Sequence, residues 1–339
     1  MQSFHIPSTD DRPLAAYRWP AARPAVGRVL IIHGLAEHAR RYDRFARCLT
    51  HAGLEIYAFD LRGHGATTAA IDHGYLATDD SWRQLLDDVD AVRRWADRNT
   101  GTLPAILFGH SLGSFLAQGV LQTAGQHWAA AVLAGTGKPH RLTCRLGALI
   151  AAAESVRVDP TGHSRLLRSL TFGAYERALK RHLRRQNRTR FDWLSALPAT
   201  VDAYIDDAAC GFEPRVATWR CLLSGIARVQ SPPARRRTPA ALPLLIAAGG
   251  DDPVGHFGRQ PRALATAYEN DGQQDVSMHI YDRARHELHN DAIADAFCRD
   301  LQAWFADRGL AAHCRETPTC GDESQPWQCA ADTAAPAPA

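Results

Sequence analysis

Several features that would place the chain in other classes of protein are missing from its 339 residues. No apolar run approaches the roughly 18 residues that a membrane-spanning helix needs. The amino terminus, MQSFHIPSTDDRPLAAYRW, has neither the basic start nor the apolar stretch of a signal peptide. The formal net charge of +3 is too small to indicate a nucleic-acid-binding protein. These absences predict a cytoplasmic protein that has no nucleic-acid partner.

Paired cysteine motifs are also missing, because none of the eight cysteines belongs to a C-x-x-C pair. In a reducing compartment we expect most of them to be free thiols, several of them buried. Three lie in the carboxyl-terminal segment AAHCRETPTCGDESQPWQCAADTAAPAPA, whose composition cannot bury a core. Residues 311–339 are therefore predicted to be a disordered tail. A metal or redox site made of His313, Cys314, Cys320 and Cys329 is the alternative interpretation of this segment.

A Gly-rich phosphate or dinucleotide loop is missing too, and no zinc motif is complete. HGLAEH has one residue more than H-x-x-E-H, and HELH has one residue fewer than H-E-x-x-H. Neither segment has the ligand spacing on which those motifs depend. We therefore expect neither a cofactor nor a catalytic metal.

Residues 109–113 read GHSLG, a Gly-x-Ser-x-Gly pattern that could be an ordinary turn or could present a nucleophilic serine. A short apolar run of buried-strand type, Ala105 to Phe108, precedes it. Leu112, Leu116 and other apolar residues at helical spacing follow it. A strand that enters a sharp turn and leaves as a helix is the setting of a nucleophile elbow. The context favours Ser111 as a nucleophile.

Further apolar runs of buried-strand type alternate with helical patterns along the chain. These runs are Val29 to Ile32, Ile56 to Phe59, Ala105 to Phe108, Ala129 to Leu133, Pro243 to Ala248 and Val276 to Tyr281. The alternation predicts a mainly parallel sheet with helices on both faces. Residues 137–231 interrupt it with helical, basic stretches such as LKRHLRRQNRTR, which predicts a helical cap inserted above the sheet. The predicted organisation is a core of residues 1–136 and 232–310, a cap of residues 137–231 and the tail.

A serine hydroxyl needs a neighbouring base, and that base is usually oriented by a carboxylate. In α/β hydrolases the chain order is Ser, then Asp or Glu, then His, with the last two on loops after late strands. Asp251 and Asp252 follow one predicted strand, and His286 follows the next. Taken singly, the aspartates could belong to an ordinary turn and His286 to a polar surface loop. Their order along the chain favours a catalytic triad with Ser111.

The reaction also needs two backbone N–H groups that stabilise the oxyanion. Leu112, directly after the serine, is expected to donate one of them. The loop after the first predicted strand, His33-Gly34-Leu35, is expected to supply the other from Leu35. The alternative is that Gly34 only marks a loop.

Taken together, HGLAEHARRYDRFA, AFDLRGHG, LFGHSLGSFLAQ, FDWLS and YDRARHELHND resemble the monoacylglycerol lipase and lysophospholipase family of α/β hydrolases, over roughly residues 3 to 308. The resemblance implies an α/β-hydrolase fold with about eight strands and a helical lid at the predicted cap. It also implies that Ser111 is the nucleophile, His286 the base and Asp252, from a motif like DPV, the acid. Leu112 stands where the family usually has methionine, but only its backbone N–H is expected to act.

The resemblance implies a cofactor-independent serine hydrolase that cleaves a monoacylglycerol or lysophospholipid through an acyl-enzyme. A small-ester carboxylesterase or a peptidase of the same fold remains an alternative, as does a noncatalytic relative that binds an acyl ligand or a protein. The basic stretch of residues 165–190 could also bring the cap to an anionic membrane surface. The alternative interpretation of this stretch is an ordinary solvated helix face.

Overall fold

A computed structural model describes residues 1–76 and 81–312 and contains one eight-stranded sheet. Its strands are β1 (Gln2–Pro7), β2 (Pro13–Trp19), β3 (Gly27–Ile32), β4 (Leu54–Phe59), β5 (Ala105–His110), β6 (Ala130–Ala134), β7 (Leu244–Gly249) and β8 (Val276–Tyr281). Their order across the sheet is β1-β2-β4-β3-β5-β6-β7-β8. The strands β3 to β8 are parallel, whereas β1 pairs antiparallel with β2 and β2 antiparallel with β4. The predicted α/β-hydrolase fold is confirmed.

The two edges of the sheet are where the sequence pattern fails. The hairpin of β1 and β2 was not predicted. The strand β1 buries only Ile6 and so lacks an apolar run, whereas β2 is mostly buried but has its apolar residues interrupted by Arg18. At the other edge, β8 is a strand as predicted, but it is not a buried one. Met278 is 38% exposed, and His279 beside it is exposed as well. One side of an edge strand is open to solvent, so polar and exposed residues are tolerated there.

Helices cover both faces of the sheet. The helices are α1 (Asp43–Thr50), α2 (Ser81–Thr100), α3 (Leu112–Ala124), α4 (Arg141–Val158), α5 (Arg165–Leu170), α6 (Phe172–Leu183), α7 (Pro198–Asp206), α8 (Val216–Val229), α9 (Pro232–Arg235), α10 (Arg259–Asn270) and α11 (Ala294–Ala306). Successive side chains of β3 point to opposite faces, so Leu30 and Ile32 join one core and Val29 and Ile31 the other. The first core includes apolar residues of α2, α3 and α10, and the second includes those of α1 and α11. Within the described residues, no helix combines the length and the apolar character needed to cross a membrane.

The helices α4 to α8 lie between β6 and β7, over the stretch predicted to be a cap. They have apolar clusters of their own, one of which contains Trp193 and Tyr204 and another Trp219. The segment LKRHLRRQNRTR is helical only at its start. The helix α6 ends at Leu183, and Arg184 has a left-handed backbone conformation with φ +52°. The prediction of a continuous basic helix is therefore wrong beyond Leu183, since a residue in that conformation ends a helix.

The cysteines in the described part of the chain divide into two groups. Cys144, Cys210 and Cys221 are free and buried, as expected. Cys48 of α1 and Cys298 of α11 form a disulfide, which their scattered spacing did not predict.

The predicted tail begins two residues too early. Ala311 is buried in the second core, and Ala312 donates its backbone N–H to Ala52 O at 2.9 Å, so both are attached to the folded part of the chain. The remaining residues, 313–339, lie outside the described part of the chain, together with the predictions of disorder and of a Cys-containing metal or redox site.

Candidate active site

The Gly-x-Ser-x-Gly segment forms a sharp turn between β5 and α3. Ser111 has φ +53° and ψ −117°, a conformation that a non-glycine residue rarely adopts. The flanking glycines are required by space. A Cβ atom at Gly109 would lie 2.4 Å from Gly113 O, and one at Gly113 would lie 2.1 Å from Ile32 O. The strand and the helix can therefore cross only without side chains at these two positions, and Ser111 is left partly accessible between them.

The predicted base and acid meet beside this turn. His286 Nδ1 lies 2.9 Å from Asp252 Oδ2. Asp252 is fully buried, and its other oxygen, Oδ1, accepts the backbone N–H of Val254 at 2.8 Å. Burial, the largest single influence, would lower the pKa of His286. The Asp252 carboxylate, together with the charges of Glu287 and Glu37, outweighs burial and raises this pKa above its usual value. The pair therefore has one fixed orientation, with Nε2 of His286 pointing away from the carboxylate.

The adjacent aspartate has a different partner. Asp251 Oδ1 lies 2.8 Å from Nε2 of His182, a residue of α6, and the His182 ring stacks on Phe257 at 4.1 Å. The structure thus separates the two acidic candidates of the DDPV segment. Asp252 contacts His286, whereas Asp251 contacts a helix from between β6 and β7.

Three loops converge where the strands β3, β5 and β8 end. A Cβ atom at Gly34 would lie 3.2 Å from Ser111 Cβ and 3.3 Å from the ring of His110. The His110 ring is in turn 4.8 Å from the ring of His286. The loop that carries Leu35, the turn that carries Ser111 and the loop that carries His286 are therefore neighbours at the carboxyl edge of the sheet, where ligands bind in folds of this type.

The chain matches a known protein family. Residues 23–293 match the model of the family described as serine aminopeptidase, S33. The chain belongs to this family. The resemblance to α/β hydrolases of the monoacylglycerol lipase type is thereby confirmed.

Individual relatives match this chain either over most of its length or locally. Mouse monoglyceride lipase is 22% identical over 317 residues, which are 91% of each chain. Phospholipase YtpA of Bacillus subtilis is 36% identical over 102 residues, but these are only 30% of this chain and 36% of the relative. An abhydrolase domain-containing protein of Dictyostelium discoideum is 30% identical over 110 residues, 32% of this chain and 11% of its own length.

Among solved structures, a thermostable carboxyl esterase from Bacillus coagulans in complex with glycerol superposes with a TM-score of 0.81 at 24% identity. The superposition covers 91% of this chain and 98% of the esterase. At this identity the similarity shows the fold.

A buried ion-pair network that was not predicted from the sequence connects two of the loops at the site. Arg41 binds Glu287 through two bonds of 2.7 Å, and it also donates to Glu37 Oε2 at 2.7 Å. The other oxygen of Glu37, Oε1, accepts the backbone N–H of Gly34 at 2.6 Å. Since Glu287 follows His286 directly, Arg41 links the loop after β3 to the loop after β8. The spacing of Glu37 and Arg41, one helical turn apart, was the available signal.

The loop after β3 is also held from its other side. His33 Nε2 lies 2.9 Å from the backbone N–H of Leu61, so this nitrogen is the acceptor and the proton is on Nδ1. His33 Nδ1 then donates to Gly34 O at 2.7 Å. Burial lowers the pKa of His33 to about 3, so the ring stays neutral and the pattern does not change near pH 7. The N–H and the carbonyl of Gly34 are therefore both held in place by hydrogen bonds.

Aromatic side chains from the segment between β6 and β7 enclose the site. The Trp193 ring lies 5.3 Å from the ring of His286, and the Trp193 carbonyl accepts the His286 backbone N–H at 3.3 Å. Phe172 stacks on Trp193 at 6.1 Å and contacts Trp219 at 5.6 Å. Leu35 packs against the apolar cluster that contains Trp219. The candidate site is thus covered by a largely apolar surface.

Proposed function

We propose that the chain is a serine hydrolase that cleaves carboxylic esters of monoacyl lipids, either monoacylglycerol or lysophospholipid, through an acyl-enzyme. The observation that carries this proposal is the buried Asp252–His286 pair beside the strained turn of Ser111. A structural turn needs neither the unfavourable backbone conformation nor a neighbouring histidine oriented by a buried carboxylate. The arrangement has the parts that a nucleophilic serine requires.

In this mechanism His286 Nε2 accepts the proton of Ser111 as Oγ attacks the ester carbonyl carbon. Asp252 keeps the proton of His286 on Nδ1 and stabilises the imidazolium that forms. The backbone N–H groups of Leu35 and Leu112 stabilise the oxyanion. Protonated His286 then gives its proton to the leaving alcohol, which leaves the acyl group on Ser111. Water, activated by His286 in the same way, releases the fatty acid.

The names of two relatives support the substrate class. The mouse protein is named a monoglyceride lipase and the Bacillus subtilis protein a phospholipase, and both names refer to lipid substrates. The apolar lining above the site, with Trp193, Phe172 and Trp219, suits an acyl chain better than a polar peptide. We expect a long-chain monoacyl ester to be preferred over a peptide substrate.

The membrane contact that we propose depends on a basic surface at the end of α6. A surface cavity of about 660 Å³ is lined by Arg177, Lys180, Arg181, Arg184, Arg185 and Gln186, with no carboxylate among the lining residues. Nearby, Leu166 and Leu170 are 46% and 53% exposed. Cations beside exposed leucines suit the surface of an anionic bilayer, at about 1 kcal/mol for each basic residue.

The nucleophile is tested with a fluorophosphonate probe and with a panel of monoacylglycerols, lysophospholipids and short nitrophenyl esters. The native protein should be labelled at Ser111 and should hydrolyse long-chain monoacyl esters. Ser111→Ala should lose both labelling and turnover while keeping its Tm. Undiminished labelling or turnover in this variant would refute the enzymatic proposal.

The membrane contact is tested separately, by sedimentation with anionic vesicles at low and high salt. Salt should weaken binding and slow lysophospholipid hydrolysis in vesicles, because charges are screened within about 10 Å at 0.1 M. Hydrolysis of a soluble short-chain ester should hardly change. The variant R181E/R184E should bind more weakly than R98E/R299E, which has the same net charge. Equal binding of the two variants would leave the basic surface without a membrane role.

A further inference from the structure

Three side chains with metal-binding atoms come together where the turn after α7 meets the loop after β3. They are the imidazole of His38, the carboxylate of Asp207 and the thiol of Cys210. Their ligand atoms all lie within 4.8 Å of one another, and they form the only such group found among residues 1–76 and 81–312. His38 Nε2 and Asp207 Oδ2 are already 2.9 Å apart. His38 is the second histidine of HGLAEH, whose local spacing fits no zinc motif.

The backbone holds these residues in place. Asp207 and Cys210 lie on one turn after α7, which is closed by a bond of 2.9 Å from Cys210 N to Asp207 O. The turn is attached to the loop after β3 through Ala36 O. This oxygen accepts the N–H of Gly211 at 2.9 Å and the hydroxyl of Tyr204 at 2.8 Å. His38 therefore faces Asp207 because two backbone segments are already paired beside it.

We propose that His38, Asp207 and Cys210 bind a Zn²⁺ ion, with water as the fourth ligand. In a tetrahedral zinc site with bonds of about 2.0–2.3 Å, the ligand atoms are separated by roughly 3.3–3.8 Å. The three atoms are within about 1 Å of that spacing, a difference that side-chain rotation can close. A mixed set of nitrogen, oxygen and sulfur ligands favours zinc over magnesium or calcium, which prefer oxygen alone.

An ion can reach this site from solvent. A surface cavity of about 110 Å³ is lined by Arg190, Phe191, Tyr204, Ile205, Cys210 and Gly211. It opens onto the residue that would supply the thiolate. The guanidinium of Arg41 lies on the inner side, but Glu37 and Glu287 already neutralise its charge. The positive charge nearest the site is thus compensated and does not exclude a cation.

Binding must displace one proton. Zinc binds cysteine as the thiolate, so the thiol proton of Cys210 has to leave when the ion binds. Zn²⁺ takes the place of that proton, which leaves to solvent, and the oxidation states of metal and sulfur do not change. His38 binds as neutral imidazole and Asp207 as carboxylate. The affinity should therefore increase with pH.

The test uses Co²⁺ as a spectroscopic substitute for zinc. It is done in the full-length chain with Cys314, Cys320 and Cys329 replaced by serine, so that these residues cannot supply a thiolate. We expect one Co²⁺ per chain, with tetrahedral visible bands and a near-ultraviolet charge-transfer band from thiolate to cobalt. Excess Zn²⁺ should remove these bands and raise Tm.

Substitutions at and away from the site complete the test. In the same background, C210S should lose the charge-transfer band, whereas C221S, which changes another buried free cysteine, should keep it. D207N should keep the band but need at least about tenfold more Co²⁺, since it replaces an anionic ligand by a neutral one. The proposal is overturned if the starting chain has no thiolate band, if the band survives in C210S, or if D207N binds as tightly as the starting chain.

Discussion

At the scale of single residues, two neighbouring aspartates differ in what they touch. Asp252→Asn keeps the size of the side chain but removes the charged acceptor for His286 Nδ1, so the imidazole can take the wrong tautomer. We expect kcat to fall by roughly 10³- to 10⁴-fold, as in other triads. Asp251→Asn removes only the contact with His182 and should change kcat by less than about tenfold. Steady-state kinetics on one soluble ester compares the two variants. A larger loss of kcat in Asp251→Asn would indicate that Asp251, not Asp252, is the acid.

The raised pKa of His286 has a consequence for the dependence of activity on pH. The base must be neutral to accept the proton of Ser111, and a raised pKa keeps it protonated to a higher pH than usual. We therefore expect kcat/KM to decline on the acid side with an apparent pKa above the ordinary histidine value of about 6.5. In Asp252→Asn the residual activity should decline at a lower pH, because the charge that raises the pKa is gone. A pH profile with the same midpoint in both proteins would contradict this cause.

At the scale of elements, Arg41 connects the loop after β3 with the loop after β8. Arg41→Met leaves Glu37 and Glu287 buried without their cation, which should lower the free energy of unfolding by about 3–5 kcal/mol. The control is Arg44→Met, one turn further along. The Arg44 side chain is 38% exposed and pairs with Asp295 on the surface. Arg44→Met should therefore lower the free energy of unfolding by less than about 1 kcal/mol.

Urea unfolding followed by circular dichroism measures both variants. Similar losses for Arg41→Met and Arg44→Met would mean that the buried network adds no more stability than a surface pair. If Arg41→Met is too unstable to purify, Arg41→Lys keeps one charge and should show an intermediate loss.

The strands differ in how well the sequence alone predicts them. Buried central strands such as β3 and β5 were predictable, since a strand covered on both faces has to be apolar throughout. Ser111, Asp252 and His286 were found as candidates because their chemistry demands a fixed chain order. Edge strands such as β1 and β8 have exposed residues and therefore lack a continuous apolar run.

Contacts between distant segments were not predictable for a different reason. Arg41 and Glu287 are 246 residues apart, and Asp251 and His182 are 69 apart. Each of these residues, viewed locally, is an ordinary charged or polar residue in a loop or helix. Only the fold brings their charges together, so no spacing in the sequence can reveal the pairing.

At the scale of the whole molecule, the Cys48–Cys298 disulfide joins two helices on the same face of the sheet. The two cysteines are separated by 250 residues. Closing so long a loop restricts the unfolded chain, with a contribution of up to about 5 kcal/mol in the chain-entropy model. The double variant C48A/C298A should therefore unfold at a clearly lower urea concentration than the native protein.

The control for this prediction is C144A, which removes a buried cysteine that is free. It loses a small side chain but leaves the topology of the chain unchanged, so its unfolding midpoint should move much less. The prediction fails if the two variants unfold at the same urea concentration, or if reductant leaves the midpoint of the native protein unchanged.

The disulfide also closes the chain between Cys48 and Cys298 into a ring. Ser111 and His286 both lie within this ring. In the sequence, Ser111 precedes the exposed residues Arg184 and Arg185, and His286 follows them. A protease that cuts at those arginines opens the ring but cannot divide the molecule. The two fragments, one with the proposed nucleophile and the other with the proposed base, would remain one covalent species until the disulfide is reduced.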